Sequence, residues 1–197
     1  MHDPDRQFLF ANATDGTRLQ VDFFWQRDRY AHRILAGVGG RELKLLESVE
    51  GSDQQDWPPS PPLQQLSIEQ PRPGEHVALL VGMAGKSHWS VSVEPLAGKA
   101  GFLFDVACRR SAPGRLASTY RPLTPRPWLR VNGFAIQQQG CKLDVRALQI
   151  DQRPPLLRAD EATFWFAPPT ADEENGARTM RWKYCFELTT SGDGSHG

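Results

Sequence analysis

The chain has 197 residues, within the size range of a single domain, and a chain of this length needs neither a metal ion nor a disulfide to hold a core. Lysine plus arginine and aspartate plus glutamate number 23 each, so the formal net charge is zero. This balance excludes a global positive field, and we therefore expect neither a nucleic-acid partner nor attachment to an acidic membrane surface.

The cysteines and the amino terminus bear on the compartment. Cys108, Cys141 and Cys185 are odd in number and lack metal-ligand spacing, which is typical of free thiols in a reducing environment. The first residues have no basic start followed by an apolar run, and the longest apolar stretch, residues 77–84, is too short to span a bilayer. We predict a cytoplasmic protein with no cofactor and no metal site.

Apolar and polar residues alternate with period two along much of the chain, whereas amphipathic helical spacing is nearly absent. The strand-like segments are residues 8–12, 18–26, 30–35, 63–69, 76–83, 87–94, 102–109, 128–131, 134–137, 142–150, 162–167 and 180–188. Residues 41–50 are rich in helix formers but keep an even apolar spacing, and we interpret them as a strand. This pattern predicts one all-β domain, residues 1–188, built as an antiparallel two-sheet β-sandwich with few or no helices. A closed or partly open β-barrel is the alternative, and residues 189–197 are predicted to be a disordered tail.

Turn residues predict how these strands connect. Asp15-Gly16 and Asn132-Gly133 each separate two apolar runs and accept the positive φ of tight hairpin turns. Residues 82–87 (GMAGKS) resemble a phosphate-binding loop, but Leu80 stands where that motif needs its first glycine, so we interpret them as a β-turn. Residues 56–62 (DWPPSPP) lack the donors of a strand ladder and are predicted to be an extended loop.

Strand geometry assembles one polar constellation. If residues 87–94 and 102–109 form a hairpin, the register that keeps their apolar faces together places His88 opposite Arg109 and Ser92 opposite Asp105. The other face then carries a polar row, consisting of His88, Ser90, Ser92, Glu94, Asp105 and Arg109. Within the polar row, His88, Ser90, Glu94 and Asp105 are candidate catalytic residues, provided that a cleft desolvates them. An ordinary solvent-facing sheet surface is the favoured interpretation.

Residues 109–130, here called the arginine segment, contain no acidic residue. The candidate ligand-binding residues within it are Arg109, Arg110, Arg115, Arg121, Arg126, Trp128 and Arg130. Guanidinium groups bind phosphate and carboxylate in a bidentate manner, and an aromatic ring beside them can stack on a ligand. A solvated loop whose arginines pair with acidic residues elsewhere, such as Asp172, Glu173 and Glu174, is the favoured alternative.

Function is not readable from these patterns, because no sequence motif identifies a reaction. The first hypothesis is a non-catalytic binding module that presents the arginine segment to an anionic ligand or a protein partner. The second is a hydrolase-like enzyme on a β scaffold that uses the polar row. A subunit that buries apolar surface in an oligomer is a third, and the sequence leaves the oligomeric state open.

Overall fold

The computed structural model describes residues 6–112, 114–123, 128–130, 133–150, 153–169 and 178–190. Within these residues every regular element is a strand. The strands are, in chain order, β1 (Gln7–Asn12), β2 (Arg18–Gln26), β3 (Arg29–Val38), β4 (Arg41–Ser48), β5 (Gln65–Arg72), β6 (Glu75–Ala84), β7 (Ser87–Pro95), β8 (Gly101–Arg110), β9 (Ser118–Pro122), β10 (Trp128–Arg130), β11 (Gly133–Gln138), β12 (Cys141–Leu148), β13 (Leu156–Ala159), β14 (Phe164–Ala167) and β15 (Arg178–Thr190).

The strands form two antiparallel sheets. The first sheet has the order β1-β2-β3-β4-β9-β14-β13, and the second has the order β10-β11-β12-β15-β8-β7-β6-β5. Each sheet keeps two edges, β1 and β13 in the first and β10 and β5 in the second. The all-β, two-sheet sandwich is therefore confirmed, and the barrel alternative is wrong because neither sheet closes on itself.

Aromatic rings dominate the core between the sheets. The Tyr184 ring of the second sheet stacks on Phe166 of the first, with ring centroids 4.2 Å apart, and on Phe104 at 5.1 Å. Trp182 is completely buried, and its Nε1 donates to Ser118 Oγ at 3.0 Å, so its polar atom has a partner. Full burial of one such side chain contributes about 2–3 kcal/mol, and this interdigitation holds the two sheets together.

The hairpin that carries the polar row has the predicted register. His88 of β7 lies opposite Arg109 of β8, and Ser92 lies opposite Asp105. The inward positions, such as Val93 and Phe104, are buried, while the polar positions point away from the core. A one-residue slip would exchange the two faces, so the apolar pattern alone selects this register.

The predicted turns are also found where the structure describes them. Gly16, with a φ of 84°, lies in the connection between β1 and β2, and Gly85, with a φ of 56°, lies in the two-residue turn between β6 and β7. Asn132 lies outside the described residues. Arg130 pairs with Gly133, which is the pairing that a hairpin between β10 and β11 requires. Residues 41–48 are strand β4, as predicted.

The proline-rich loop is packed against the protein rather than extended into solvent. Pro58 and residues 60–63 are buried, and Ser60 exchanges two hydrogen bonds with the backbone of Thr119, at 3.1 and 3.2 Å. The Thr119 hydroxyl donates to Pro59 O at 2.6 Å. These contacts close one end of the sandwich beside β9.

The ends of the domain differ slightly from the prediction. Strand β15 extends through Thr190, two residues beyond the predicted limit, because Thr190 pairs with Cys141 of β12. Residues 191–197 lie outside the described residues. None of the described segments forms a helix of the length and apolarity that a membrane crossing requires.

Candidate functional site: an arginine-rimmed pocket

The structure distributes the arginine segment over several surfaces. Arg109 is exposed on the outward face of the second sheet, whereas Arg121 pairs with Glu47, with 2.6 Å between Nη2 and Oε1. Arg126 lies outside the described residues, and Trp128 and Arg130 are placed only as positions in β10. Arg110 and Arg115 are the two members that the structure brings together, at one pocket.

This pocket, of about 230 Å³, opens between the ends of the two sheets. Arg110 ends β8, and Arg115 follows it in the loop to β9. The floor is apolar, with Leu116, Leu156 and Met180 contributed by three separate parts of the chain. A concave apolar site with a few charged groups at its rim is the usual form of a small-ligand site.

Two aromatic rings fix the rim of the pocket. The Arg115 guanidinium lies over the Trp165 ring, 4.8 Å from its centroid, in cation–π geometry. Gly114, which also lines the pocket, packs on Trp57, because an added Cβ would lie only 2.1 Å from the indole. The proline-rich loop therefore supports the segment that carries Arg115.

The pocket retains positive charge. Within the described residues neither Arg110 nor Arg115 forms a salt bridge, in contrast to Arg121. The nearby Asp160 accepts hydrogen bonds from the backbone of Ala162 and Thr163, which lower the pKa of its carboxyl, and Arg115 adds a smaller electrostatic contribution. Asp160 thus mainly accepts hydrogen bonds within its own turn, so the two guanidinium groups can bind an external anion.

The polar row lies on the outward face of the second sheet. His88, Ser90 and Glu94 are exposed, and Ser92 donates to Glu94 at 3.2 Å. None of them lines the arginine-rimmed pocket. Their positions are those of a solvent-facing sheet surface, the interpretation that the sequence favoured.

Asp105, the fourth catalytic candidate, is held in an ion-pair cluster. Arg181 binds both of its carboxylate oxygens, and Lys183 Nζ lies 2.9 Å from Oδ2. Burial pushes the pKa of Asp105 upward, but the hydrogen bonds from Arg181 and Lys183 outweigh it and hold the pKa below its usual range. A carboxylate held ionised in this way does not serve as a general acid near neutral pH.

A second titratable cluster is buried in the core. The His32 ring and the Tyr184 hydroxyl each bond the Tyr120 hydroxyl at 2.8 Å. Burial lowers the pKa of His32 to about 3 and raises that of Tyr120 well above its usual value. These groups stay neutral and out of contact with solvent, so the cluster satisfies polar atoms inside the core.

The network continues through Ser48 to Glu50 at the edge of the core. Ser48 Oγ donates to Glu50 Oε1 at 2.6 Å and accepts from His32 N at 2.9 Å. Glu50 Oε2 and Arg29 Nη1 are buried and have no hydrogen-bond partner among the residues that the structure describes. Burial raises the pKa of Glu50 to about 7, because the hydrogen bond from Ser48 and the attraction of Arg29 only partly offset desolvation.

The structure also places the three cysteines and the side chains that could bind a metal ion. All three cysteines are free and buried, and burial raises the pKa of Cys108, which faces the core as predicted, to about 12. Such thiols are poor nucleophiles. Among the residues that the structure describes, no group of three or more His, Cys, Asp or Glu side chains has the arrangement of a metal site.

Comparison with known proteins supports the fold only. No family model and no curated protein matches the chain. A solved structure described as heparinase III with methylated lysines superposes with a TM-score of 0.63 over 98% of this chain, at 12% sequence identity. The matched region makes up 37% of that longer protein. At this identity the resemblance shows a shared architecture and carries no activity across.

Sequence reasoning found the arginines of the pocket but missed its floor. Leu116, Leu156 and Met180 lie in three separate parts of the sequence, and they meet because β13 and β15 begin at the same side of the sandwich. Trp165 was within a predicted strand, yet nothing in its local pattern indicates that Arg115 lies over it. Strand order is the missing information in each case.

Proposed function

We propose that the protein is a non-catalytic binding module that takes an anionic ligand at the arginine-rimmed pocket. The observation that carries the proposal is the combination of two guanidinium groups, without salt bridges to the described residues, with an apolar floor. Arg110 and Arg115 offer charge-assisted hydrogen bonds to a carboxylate, sulfate or phosphate group. Leu116 and Met180 accept the apolar part of the same ligand.

The hydrolase-like alternative has less support. Of its candidate residues, His88, Ser90 and Glu94 are exposed. Asp105 already forms ion pairs with Arg181 and Lys183. Catalysis by acid and base groups needs their pKa values tuned in a site that limits water, and the exposed His88 lacks that enclosure. We therefore favour binding over catalysis.

A cytoplasmic location belongs to the same proposal. The three thiols are free and buried, and the structure pairs none of them in a disulfide. Proteins of reducing compartments commonly keep cysteines in this form. A protein partner in place of a small anion would use the same rim.

The test compares two probes with one ring system and different charge, 1-naphthoate and 1-naphthalenemethanol, by titration calorimetry. The wild type should bind the carboxylate, and Arg115→Gln and Arg110→Gln should each weaken that binding about tenfold, the effect of losing one charge-assisted hydrogen bond. Arg109→Gln is the matched control, because this neighbouring arginine points outward from the second sheet. Equal affinity for both probes, or no loss in the variants, refutes the proposal.

A further inference from the structure

Gly37 is a glycine that the fold does not explain. It lies in β3 and has no positive φ, so the backbone does not require glycine there. An added Cβ would meet Arg18 at 3.4 to 3.7 Å, which is ordinary van der Waals contact. A glycine inside a strand costs about 0.5–1 kcal/mol relative to alanine, and it often marks a place where a ligand approaches the backbone.

The other described glycines without a positive φ are all required by close contacts. At Gly82 an added Cβ would lie 1.8 Å from Pro62 O, and at Gly101 it would lie 2.7 Å from Phe186 O. Gly51, Gly114 and Gly133 are crowded in the same way, with nearest atoms at 2.1 to 2.5 Å. Among these glycines Gly37 alone has room for a Cβ without a close contact.

The surface above Gly37 forms a groove between two charged side chains. On the outward face of the first sheet, Gly37 lies between Arg18 of β2 and Glu42 of β4 in the strand register. Two strand spacings separate Arg18 from Glu42, about 10 Å, and the missing side chain leaves the floor between them as bare backbone. The depression, here called the Gly37 groove, has a volume of about 330 Å³ and is also lined by Gln20 and Arg41.

The Gly37 groove continues over the turn between β3 and β4. A second depression, of about 370 Å³, lies on the other side of this turn and shares Gly39 and Arg41 with the groove. Gly39 and Gly40 have φ values of 56° and 75°, so the turn is a tight one without side chains that block the passage. The surface is therefore elongated, with Arg41 between its two parts.

The walls supply both donors and acceptors. Within the described residues Arg18, Arg41 and Glu42 form no salt bridge, although their charges flank a common space. The Arg18 guanidinium is held over the Phe10 ring, 3.8 Å from its centroid, and Phe10 is 39% exposed. Arginine only donates, carboxylate only accepts and Gln20 does both, a set that matches a ligand whose groups are themselves both donor and acceptor.

We infer that the Gly37 groove is a binding site for a polyhydroxylated ligand, an oligosaccharide. Hydroxyl groups can accept from Arg18 and donate to Glu42 at once, whereas a simple anion has no donor for Glu42. The elongated shape across the turn fits a chain of several sugar rings. This site is distinct from the arginine-rimmed pocket, because β4 begins at the groove and ends beside β9.

The experiment fills the groove without disturbing the fold. Gly37→Thr places a branched side chain on the groove floor at an outward strand position, where its Cβ would be in ordinary contact with Arg18. Binding of two neutral probes, cellohexaose and maltohexaose, is measured by saturation-transfer difference NMR and calorimetry. The wild type should bind at least one of them, and Gly37→Thr should lose at least about tenfold in affinity.

Two further variants keep the inference falsifiable. Glu42→Gln alters an exposed side chain, so it should stay folded and weaken binding of the same probe about threefold or more. Ser90→Thr, an outward strand position in the second sheet, is the control and should change nothing. If the wild type binds neither probe with a dissociation constant below about 1 mM, the inference is overturned. Undiminished binding by Gly37→Thr also overturns it. Arg115→Gln should leave saccharide binding intact, so the two proposed sites fail or succeed separately.

Discussion

Glu50 should make the protein less stable as the pH rises through neutrality. Its pKa is raised by burial from 4.5 to about 7 in the folded state. Between these two values the unfolded chain has lost the proton while the folded chain retains it, so the free energy of unfolding falls with increasing pH. A shift of this size corresponds to about 3 kcal/mol of lost stability by about pH 8.

The substitution Glu50→Gln isolates this effect. Glutamine keeps the oxygen that accepts from Ser48 and removes the charge beside the orphaned Arg29 Nη1. The difference in unfolding free energy, variant minus wild type, should therefore rise by about 3 kcal/mol between about pH 5 and about pH 8. Urea unfolding followed by tryptophan fluorescence measures this difference, and all other titrating groups cancel in it.

Glu47→Gln is the matched control. Burial also acts on Glu47, but hydrogen bonds from Arg33 and Arg121 outweigh it and hold the pKa of the Glu47 carboxyl below its usual value. Its stabilisation is present above pH 4.5 and is lost on further acidification, so its difference from the wild type should be constant over the same interval. If the difference for Glu50→Gln is flat or falls with pH, Arg29 keeps Glu50 ionised in the folded protein and the pKa of Glu50 is not raised.

Three other outcomes follow from the packing. Gly82→Ala should destabilise by about 2–4 kcal/mol in thermal unfolding, because the new Cβ overlaps Pro62 O, whereas Gly37→Ala should be neutral or slightly stabilising; equal effects would contradict the crowding argument. All three cysteines should react with a thiol reagent such as dithionitrobenzoate only on unfolding, since all are buried, and rapid labelling of the native protein would be contrary to this. Trp57→Ala should remove the support of Gly114 and weaken 1-naphthoate binding without touching the ligand; unchanged affinity would separate the proline-rich loop from the pocket.

The sequence predicts most of the fold because half-buried strands alternate. In the middle of β7, β8 and β15 the inward residues are apolar or aromatic, and this pattern yields both the strands and the pairing of His88 with Arg109. Strands β9 and β13 were not predicted, since they have five and four residues and carry no sustained alternation. Short strands owe their conformation to neighbours, here β4 and β14, which local patterns do not contain.

The candidate sites were less predictable, because each depends on the contacts that a side chain makes in the folded protein, and the residue type alone does not give those contacts. The arginine segment was interpreted as one positive stretch, yet Arg121 pairs with Glu47, and of the arginines that the structure describes in it only Arg110 and Arg115 line this pocket. Gly37 gave no signal, because the sequence does not show what an added Cβ at that position would contact.

The zero net charge of the chain therefore hides two different populations of arginine. One population is used in the structure: Arg33 binds Glu47, and Arg181 binds Asp105 across the outward faces of the sheets. Ion pairs of this exposed kind contribute little to stability, and they leave no charge for a ligand. The other population lies at depressions and forms no salt bridge with the described residues, and its guanidinium groups lie over aromatic rings, as Arg18 lies over Phe10 and Arg115 over Trp165. An aromatic face orients a guanidinium group without neutralising it, so these are the positions from which a neutral protein can still recognise a polar ligand.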